Sequence, residues 1–272
     1  MTVRFADAGR RRIALAATLA ATLATPVAGQ ARIDREAFTW VGAVSPERWI
    51  VVRTMRGDVE VTRGGDKVEV IATRRTRRGD PEFVRFEVQK YGRDGDNVLV
   101  CALWGENSDC DEGGYRSRRT DRNDRNNDIQ VDFAVRVPRG VRVGAHSVLG
   151  NVRVVDAAAE VHATTVSGDV TVSTVAGGAV TAGTTNGGVR ATIAKVDTDL
   201  RFSSVNGSVT AEFTGDIDAD VDLSTVNGRF MTDFPVTVSG RIDPRRLRAT
   251  LGKGGPRIRL STVNGNVELR KR

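Results

Sequence analysis

Short runs of alternating apolar and polar residues cover most of this chain beyond its first 30 positions. Val131, Phe133, Val135 and Val137 occupy every second place, and Val68-Glu69-Val70-Ile71 forms a similar run. A period of two predicts strands with one buried face. From Trp49 to Val61 the pattern reads as strand, glycine, strand, carried by Val51, Val52, Met55, Gly57, Val59 and Val61. Phe83 to Val88 and Val98 to Trp104 predict two further strands. The turn-rich stretch Gly92 to Asn97 lies between them, so a hairpin is expected. Beyond the N-terminal apolar run no helix is predicted, apart from a short turn near Arg245 to Arg248.

One phrase recurs in the second half. Ser203-Ser204-Val205-Asn206-Gly207, Ser224-Thr225-Val226-Asn227-Gly228 and Ser261-Thr262-Val263-Asn264-Gly265 are near copies. Thr164-Thr165-Val166-Ser167-Gly168 and Gly183-Thr184-Thr185-Asn186-Gly187 are looser ones. Glycines 150, 168, 187, 207 and 228 stand 18, 19, 20 and 21 residues apart, and the next step, to Gly265, is 37. A unit of about 20 residues is too short to bury a core alone and must stack on its neighbours. Asn-Gly supplies a corner in such a unit and equally a hairpin turn. An antiparallel meander is therefore the alternative. Repetition of the whole phrase favours a parallel β-helix-like solenoid, of either hand.

Aligning the glycines predicts specific columns. Asn186, Asn206, Asn227 and Asn264 form an amide ladder. Val205, Val226 and Val263 form an inward column, and Phe202, Leu223 and Leu260 another. Arg201, Asp222 and Arg259 form an outward charge ladder with Asp222 between the two arginines.

The N-terminus reads as an export signal. Arg4, Arg10, Arg11 and Arg12 precede the apolar run Ile13 to Leu23, Pro26 breaks it, and small residues follow at Ala28, Gly29 and Ala31. The expected organisation is a signal peptide over 1–30, N-terminal strands of the β domain over 31–73, an insert over 74–130 and the repeats over 131–272. The insert holds the hairpin, Cys101, Cys110 and a polar stretch from Asp111 to Asp128 expected to be a mobile loop. Two cysteines in an exported chain predict one disulfide, with two free thiols as the alternative. No later segment is long and apolar enough to cross a membrane as a helix.

The chain carries +7. Four arginines and Asp7 give the leader +3, so about +4 remains on the mature chain. Scattered charge and few aromatics do not suit nucleic-acid binding. Weak attraction to acidic polysaccharide or anionic surfaces fits better.

Candidate chemistry is sparse. Asp216, Asp218, Asp220 and Asp222 recur at a spacing of two, which places them on one face of a strand, either as a divalent-cation site or as a solvated edge. Asp94, Asp96 and Asn97 hint at calcium but lack a downstream glutamate. His146 and His162 fall on adjacent repeats, one column apart. Lys195, Asp197, Asp199 and Arg201 are the set that a polysaccharide-cleaving β-helix enzyme would use. No HExxH, GxSxG or phosphate-loop pattern is present. The expectation is therefore no catalytic, cofactor or metal site.

A leader, the Gly57-to-Val61 opening, the Val137-Pro138 step and serial Ser-Thr-Val-Asn-Gly phrases together resemble the bacterial putative-adhesin β-strand-repeat family, a domain of unknown function. The resemblance covers about 48–73 and 129–272. It implies an exported β-repeat fold and supplies no catalytic residues. The expected role is non-catalytic binding, in the periplasm or at the cell surface, to an envelope polymer or surface protein. The alternative is a periplasmic carbohydrate-active enzyme acting on acidic polysaccharide.

Overall fold

A computed structural model describes residues 32–33, 37–117, 127–238 and 243–272. The leader expected over 1–30 lies outside them, as does part of the charged stretch, 118–126.

The described residues are almost wholly strand and turn. In chain order the strands begin with β1 (Arg32–Ile33), β2 (Phe38–Gly42), β3 (Trp49–Arg56), β4 (Val59–Arg63), β5 (Val68–Arg78), β6 (Val84–Tyr91), β7 (Asn97–Trp104), β8 (Ser108–Asp111) and β9 (Gly114–Ser117). Then come β10 (Asp128–Val137), β11 (Arg142–Leu149), β12 (Val152–Ala157), β13 (Val161–Thr164), β14 (Val170–Thr174), β15 (Val180–Asn186), β16 (Val189–Ile193), β17 (Leu200–Asn206) and β18 (Val209–Phe213). The chain closes with β19 (Ala219–Asn227), β20 (Phe230–Thr232), β21 (Thr237–Val238), β22 (Arg246–Leu251), β23 (Arg257–Asn264) and β24 (Val267–Lys271). Among the described residues, no helix is long and apolar enough to cross a membrane.

Two 11-stranded sheets hold all but the β8–β9 ribbon. Strands β3, β11, β13, β15 and β17 lie parallel in one, here sheet B. Strands β4, β12, β14, β16 and β18 follow the same order in the other, sheet A. Each repeat thus gives one strand to each sheet, and equivalent residues pair: Val143 with Val161, Val161 with Val180, Val180 with Leu200.

The corner glycines make this stacking possible. Gly150, Gly168, Gly187, Gly207 and Gly265 have φ between +148° and +156°, which other residues rarely adopt. A Cβ on Gly207 would stand 1.9 Å from the carbonyl oxygen of Gly187, and one on Gly187 2.0 Å from that of Gly168. Each corner therefore rests directly on the corner before it.

The core lies between the sheets. Val161, Ala163, Val180, Ala182, Val170 and Val172 fill the middle repeats, while Phe202, Phe213 and Leu260 fill the C-terminal end. Small alanines in the middle and phenylalanines near the end match the space at each level, and each buried large aliphatic side chain contributes about 1.5–3 kcal/mol.

The order of the last strands departs from the order of the sequence. Sheet B runs β17–β23–β19–β22, and sheet A runs β18–β24–β20. The chain places β19 and β20 one position too far out, and β23 and β24 return to fill the gap. Antiparallel β22 then covers β19.

Several expectations are corrected. Val205, Val226 and Val263 point outward, with 40%, 50% and 40% of their surface exposed. Strand alternation explains this: with Phe202 inside, Ser204 is inside and Val205 outside. Asp222 does not lie between Arg201 and Arg259. Arg259 pairs with Arg201 on one side and Asp222 on the other, because β23 separates β17 from β19. Asp111 to Arg116 is not a mobile loop but most of the β8–β9 ribbon, which Tyr115 anchors by accepting a bond from Trp104 N at 3.2 Å. The turn expected near Arg245 to Arg248 is followed at once by a strand, β22. Strand β19 starts only at Ala219, so Asp216 and Asp218 precede it and do not share its face.

The insert also extends the main sheet. Strands β6 and β7 form an antiparallel hairpin, and β7 pairs in parallel with β3, Ile50 opposite Val98.

Candidate binding face

The outer face of sheet B is a continuous array of paired strands. One row across its strands reads Val51, Gly144, His162, Thr181, Arg201, Arg259, Asp222 and Arg248. The neighbouring row reads Arg53, His146, Thr164, Gly183, Ser203, Ser261, Ser224 and Arg246. Strand alternation sends these side chains away from the core and leaves a centre of small polar groups.

A covered apolar patch closes one end. Cys101 and Cys110 form a disulfide that ties the start of the β8–β9 ribbon to β7. Val51, Leu99, Cys101, Leu103 and Cys110 are buried beneath it, flanked by Trp49, Tyr91 and Tyr115. Arg53 donates to the Glu112 carbonyl at 3.1 Å, and burial lowers its pKa.

The two histidines come next. His162 stacks at a tilt on Trp49, with ring centres 4.7 Å apart, and its Nε2 lies 3.3 Å from Glu160. His146 shares a 2.7 Å hydrogen bond with the Thr164 hydroxyl. Burial, then the charges of Arg53 and His162, push its pKa down to about 3, so it is neutral at ordinary pH.

The other end opens into a cleft of about 370 Å³, lined by Asp220, Asp222, Arg246, Arg248, Thr250, Arg257 and Arg259 among others. Arg246 donates to both oxygens of Asp222, at 2.9 and 2.6 Å, and Arg259 reaches one of them at 3.4 Å. The bond from Arg246 holds the Asp222 carboxyl below its ordinary range, against the effect of burial; the Arg259 and Arg248 charges add to it.

The remaining carboxylates are dispersed. Asp216 pairs with Lys271 at 2.7 Å, Asp218 accepts from Lys253 N at 2.8 Å, and Asp220 accepts from the Thr250 hydroxyl at 3.0 Å. Asp197 pairs with Lys195 at 3.3 Å and accepts from Gly178 N at 3.1 Å, while Asp199 accepts from Arg257 N at 2.8 Å. Asp96 pairs with Arg48 at 3.3 Å, and Asn97 accepts from Trp49 N at 3.0 Å. These acids staple loops and do not converge on one point.

The corner beside the face is held by three ladders. Asn206 donates to Asn186 at 2.8 Å, Asn264 to Asn206 at 2.8 Å and Asn227 to Asn264 at 2.7 Å. The second ladder was not anticipated from the sequence. Ser147, Thr165, Thr184, Ser204, Thr262 and Thr225 are buried and donate to the carbonyls of Gly57, Gly150, Gly168, Gly187, Gly207 and Gly265, at 2.8–2.9 Å. Its signal is a hydroxyl residue three places before every motif glycine. In the third, the residue after the glycine accepts from the backbone of the next repeat: Asn151 N to Asp58 at 2.7 Å, Asp169 N to Asn151 at 2.9 Å, Gly188 N to Asp169 at 2.7 Å.

Comparison with known proteins bears on this architecture. The model of the Toastrack DUF4097 family matches residues 126–270. A "putative cell adhesion protein" from Clostridium sporogenes has a similar structure, with 8% identity and a TM-score of 0.51 over 87% of this chain and 100% of that one. "Putative adhesins" from Bacteroides fragilis (11% identity, TM-score 0.29, 88% and 98% covered) and Parabacteroides distasonis (8%, 0.25, 86% and 97%) align at lower scores. Of these three, the first shares the fold, and at that identity the likeness concerns the fold alone. No curated protein matches the chain.

Proposed function

The chain belongs to the Toastrack DUF4097 family, and on that premise we propose that it is an exported, non-catalytic binding protein of the cell envelope or surface. Its stacked repeats act as a β-solenoid scaffold that presents the outer face of sheet B to an envelope polymer or surface protein. The domain plan is a cleaved leader over 1–30, a β domain with its insert, and the repeats. The observation that carries this reading is the pair of in-register rows of small and polar residues across the middle of sheet B, Thr164 to Ser224 and beside it His162 to Asp222, which end in the arginine cleft. Repeat scaffolds use such extended surfaces for many weak contacts. The disulfide supports export, since such bonds persist in oxidising compartments. The adhesion-related description of the Clostridium sporogenes protein points the same way.

The enzyme reading has less support. Asp197 and Asp199, which it would need, are bound to backbone N–H groups at 3.1 and 2.8 Å.

The test is capture of purified envelope polysaccharide by the immobilised protein, with Thr181→Glu/Ser203→Glu blocking the middle of the face. We expect capture by the wild type, loss in the variant, and no new reducing ends or unsaturated products. Capture that ignores the block contradicts the face, and cleavage products lost on mutating Asp199 or Asp220 contradict the non-catalytic role.

A further inference from the structure

We infer that the arginine cleft at the C-terminal end of sheet B is a binding site for an oxyanion carried on an acidic polysaccharide, a uronate carboxylate or a sulfate ester. This rests on the reading of the outer face as a binding surface and gives that face its ligand chemistry.

Four arginines and two aspartates line the cleft, so it carries excess positive charge. The four arginines are not equivalent. Asp222 engages Arg246 through two bonds and touches Arg259. Arg248 stands directly opposite Asp222 on the antiparallel neighbour, yet its guanidinium has no hydrogen-bond acceptor among the described residues. Arg257 stands opposite Asp220, and the bond from its backbone N–H to Asp199 fixes its base. Asp220 itself is occupied by the Thr250 hydroxyl. Unused donor capacity is thus concentrated on Arg248 and Arg257, on a frame that Asp222 and Asp199 hold in place.

The chemistry of the ligand follows from the donors. Guanidinium forks match two-oxygen acceptors, and the Arg246–Asp222 pair already shows the cleft holding a carboxylate in that manner. The positive row continues past the cleft, since Arg201 neighbours Arg259 in register. Arg201 to Arg248 spans three strand spacings, about 14 Å, so successive anions on one polymer can meet successive arginines. Several weak charge contacts then add through linkage on one chain. A polysaccharide fits better than a lipid surface, because no aromatic or large aliphatic residue lines the cleft to enter a bilayer.

The experiment is titration of the purified protein with polygalacturonate, dextran sulfate and neutral dextran, at low and high salt. Arg248→Gln/Arg257→Gln removes the free donors, and both side chains are exposed, so folding is preserved. Arg201→Gln is a second variant outside the cleft wall. Arg153→Gln/Arg190→Gln removes the same charge from sheet A, where both arginines sit in exposed ion pairs. The expected result is binding of one or both acidic polymers but not of neutral dextran. Affinity falls at least tenfold in the Arg248/Arg257 variant, several-fold in the Arg201 variant and less than twofold in the sheet A control. The acidic polymer that binds more tightly identifies the oxyanion.

Equal loss in the cleft and control variants overturns the site, as does equal binding of neutral dextran. Tighter, cleft-dependent binding to phosphatidylglycerol vesicles overturns the polysaccharide. If neither acidic polymer binds, the inference fails. The broader reading survives that failure if envelope polysaccharide is still captured and still lost on blocking Thr181 and Ser203; without that capture both fall.

Discussion

Asn264 donates its side-chain amide to Oδ1 of Asn206 at 2.8 Å, across 58 positions of sequence. Asn227, closer to Asn206 along the chain, bonds instead to the far side of Asn264. The C-terminal strands are therefore internal members of both sheets, and the outermost repeat is built from residues that precede them.

Truncation before Arg257 should abolish folding. It removes Ile258, Leu260, Val267 and Leu269, all fully buried, and takes away β23 and β24, so that β19 keeps its antiparallel neighbour β22 but loses its link to the rest of sheet B, and β20 loses the strand it pairs with. At about 1.5–3 kcal/mol per side chain, the loss rivals the total stability of about 5–15 kcal/mol typical of a domain. Circular dichroism should show no cooperative thermal transition; a truncated chain with a wild-type transition would contradict the interleaved order.

Gly207→Ala should destabilise by several kcal/mol. Its Cβ would meet backbone atoms of Gly187 at 1.9 and 2.5 Å, at a φ of +153°, and backbone cannot swing away as a flexible side chain can. Gly64→Ala, with nothing within 4 Å of its Cβ, should change stability by less than about 1 kcal/mol. Denaturant unfolding of the two variants checks the contrast.

The corner was largely legible in the sequence, because its positive-φ backbone suits glycine and the whole phrase repeats with that glycine. The parity of the strand was legible too but was misread. Phe202 and Val205 are three apart in an extended strand and cannot both face inward, so a β-branched residue stands outside and a hydroxyl inside. The interleaving was not legible. The 37-residue step from Gly228 to Gly265 equals nearly two repeats, and spacing alone does not say whether the chain advances or turns back. The arginine cleft depends on that choice, since Arg259 meets Asp222 only because β23 lies beside β19. The β8–β9 ribbon was hidden by its composition, in which Tyr115 is the one large apolar anchor among polar neighbours.

Stability should fall in acid in part through His146. Its folded pKa is about 3 against an ordinary 6.5, so between these values the unfolded chain binds a proton that the folded chain does not. Stability then declines as pH drops from about 6.5 towards 3, by up to about 5 kcal/mol from this group. His146→Gln keeps a polar partner for Thr164 and should flatten the decline across that window. The check is the unfolding free energy against pH for both proteins; parallel curves would show that His146 does not contribute.

Reduction of Cys101–Cys110, or Cys101→Ser/Cys110→Ser, should free the β8–β9 ribbon. A closed loop with a sequence separation of 9 contributes about 2–3 kcal/mol by chain entropy. We expect a lower melting temperature and new proteolysis within 105–117, with the repeats still folded. Unchanged proteolysis would mean that packing on Val51 and Leu103 holds the ribbon unaided.

Engineered cross-links test the stacking order most directly. Neighbouring parallel strands lie about 4.8 Å apart, within disulfide reach, whereas strands two places apart are separated by about 10 Å. Oxidation of Asn206→Cys/Asn264→Cys should yield the linked peptide by mass spectrometry, and Asn206→Cys/Asn227→Cys should not. Efficient linkage of the 206–227 pair with none for 206–264 would mean that the repeats stack in sequence order and would contradict the architecture on which the binding face depends.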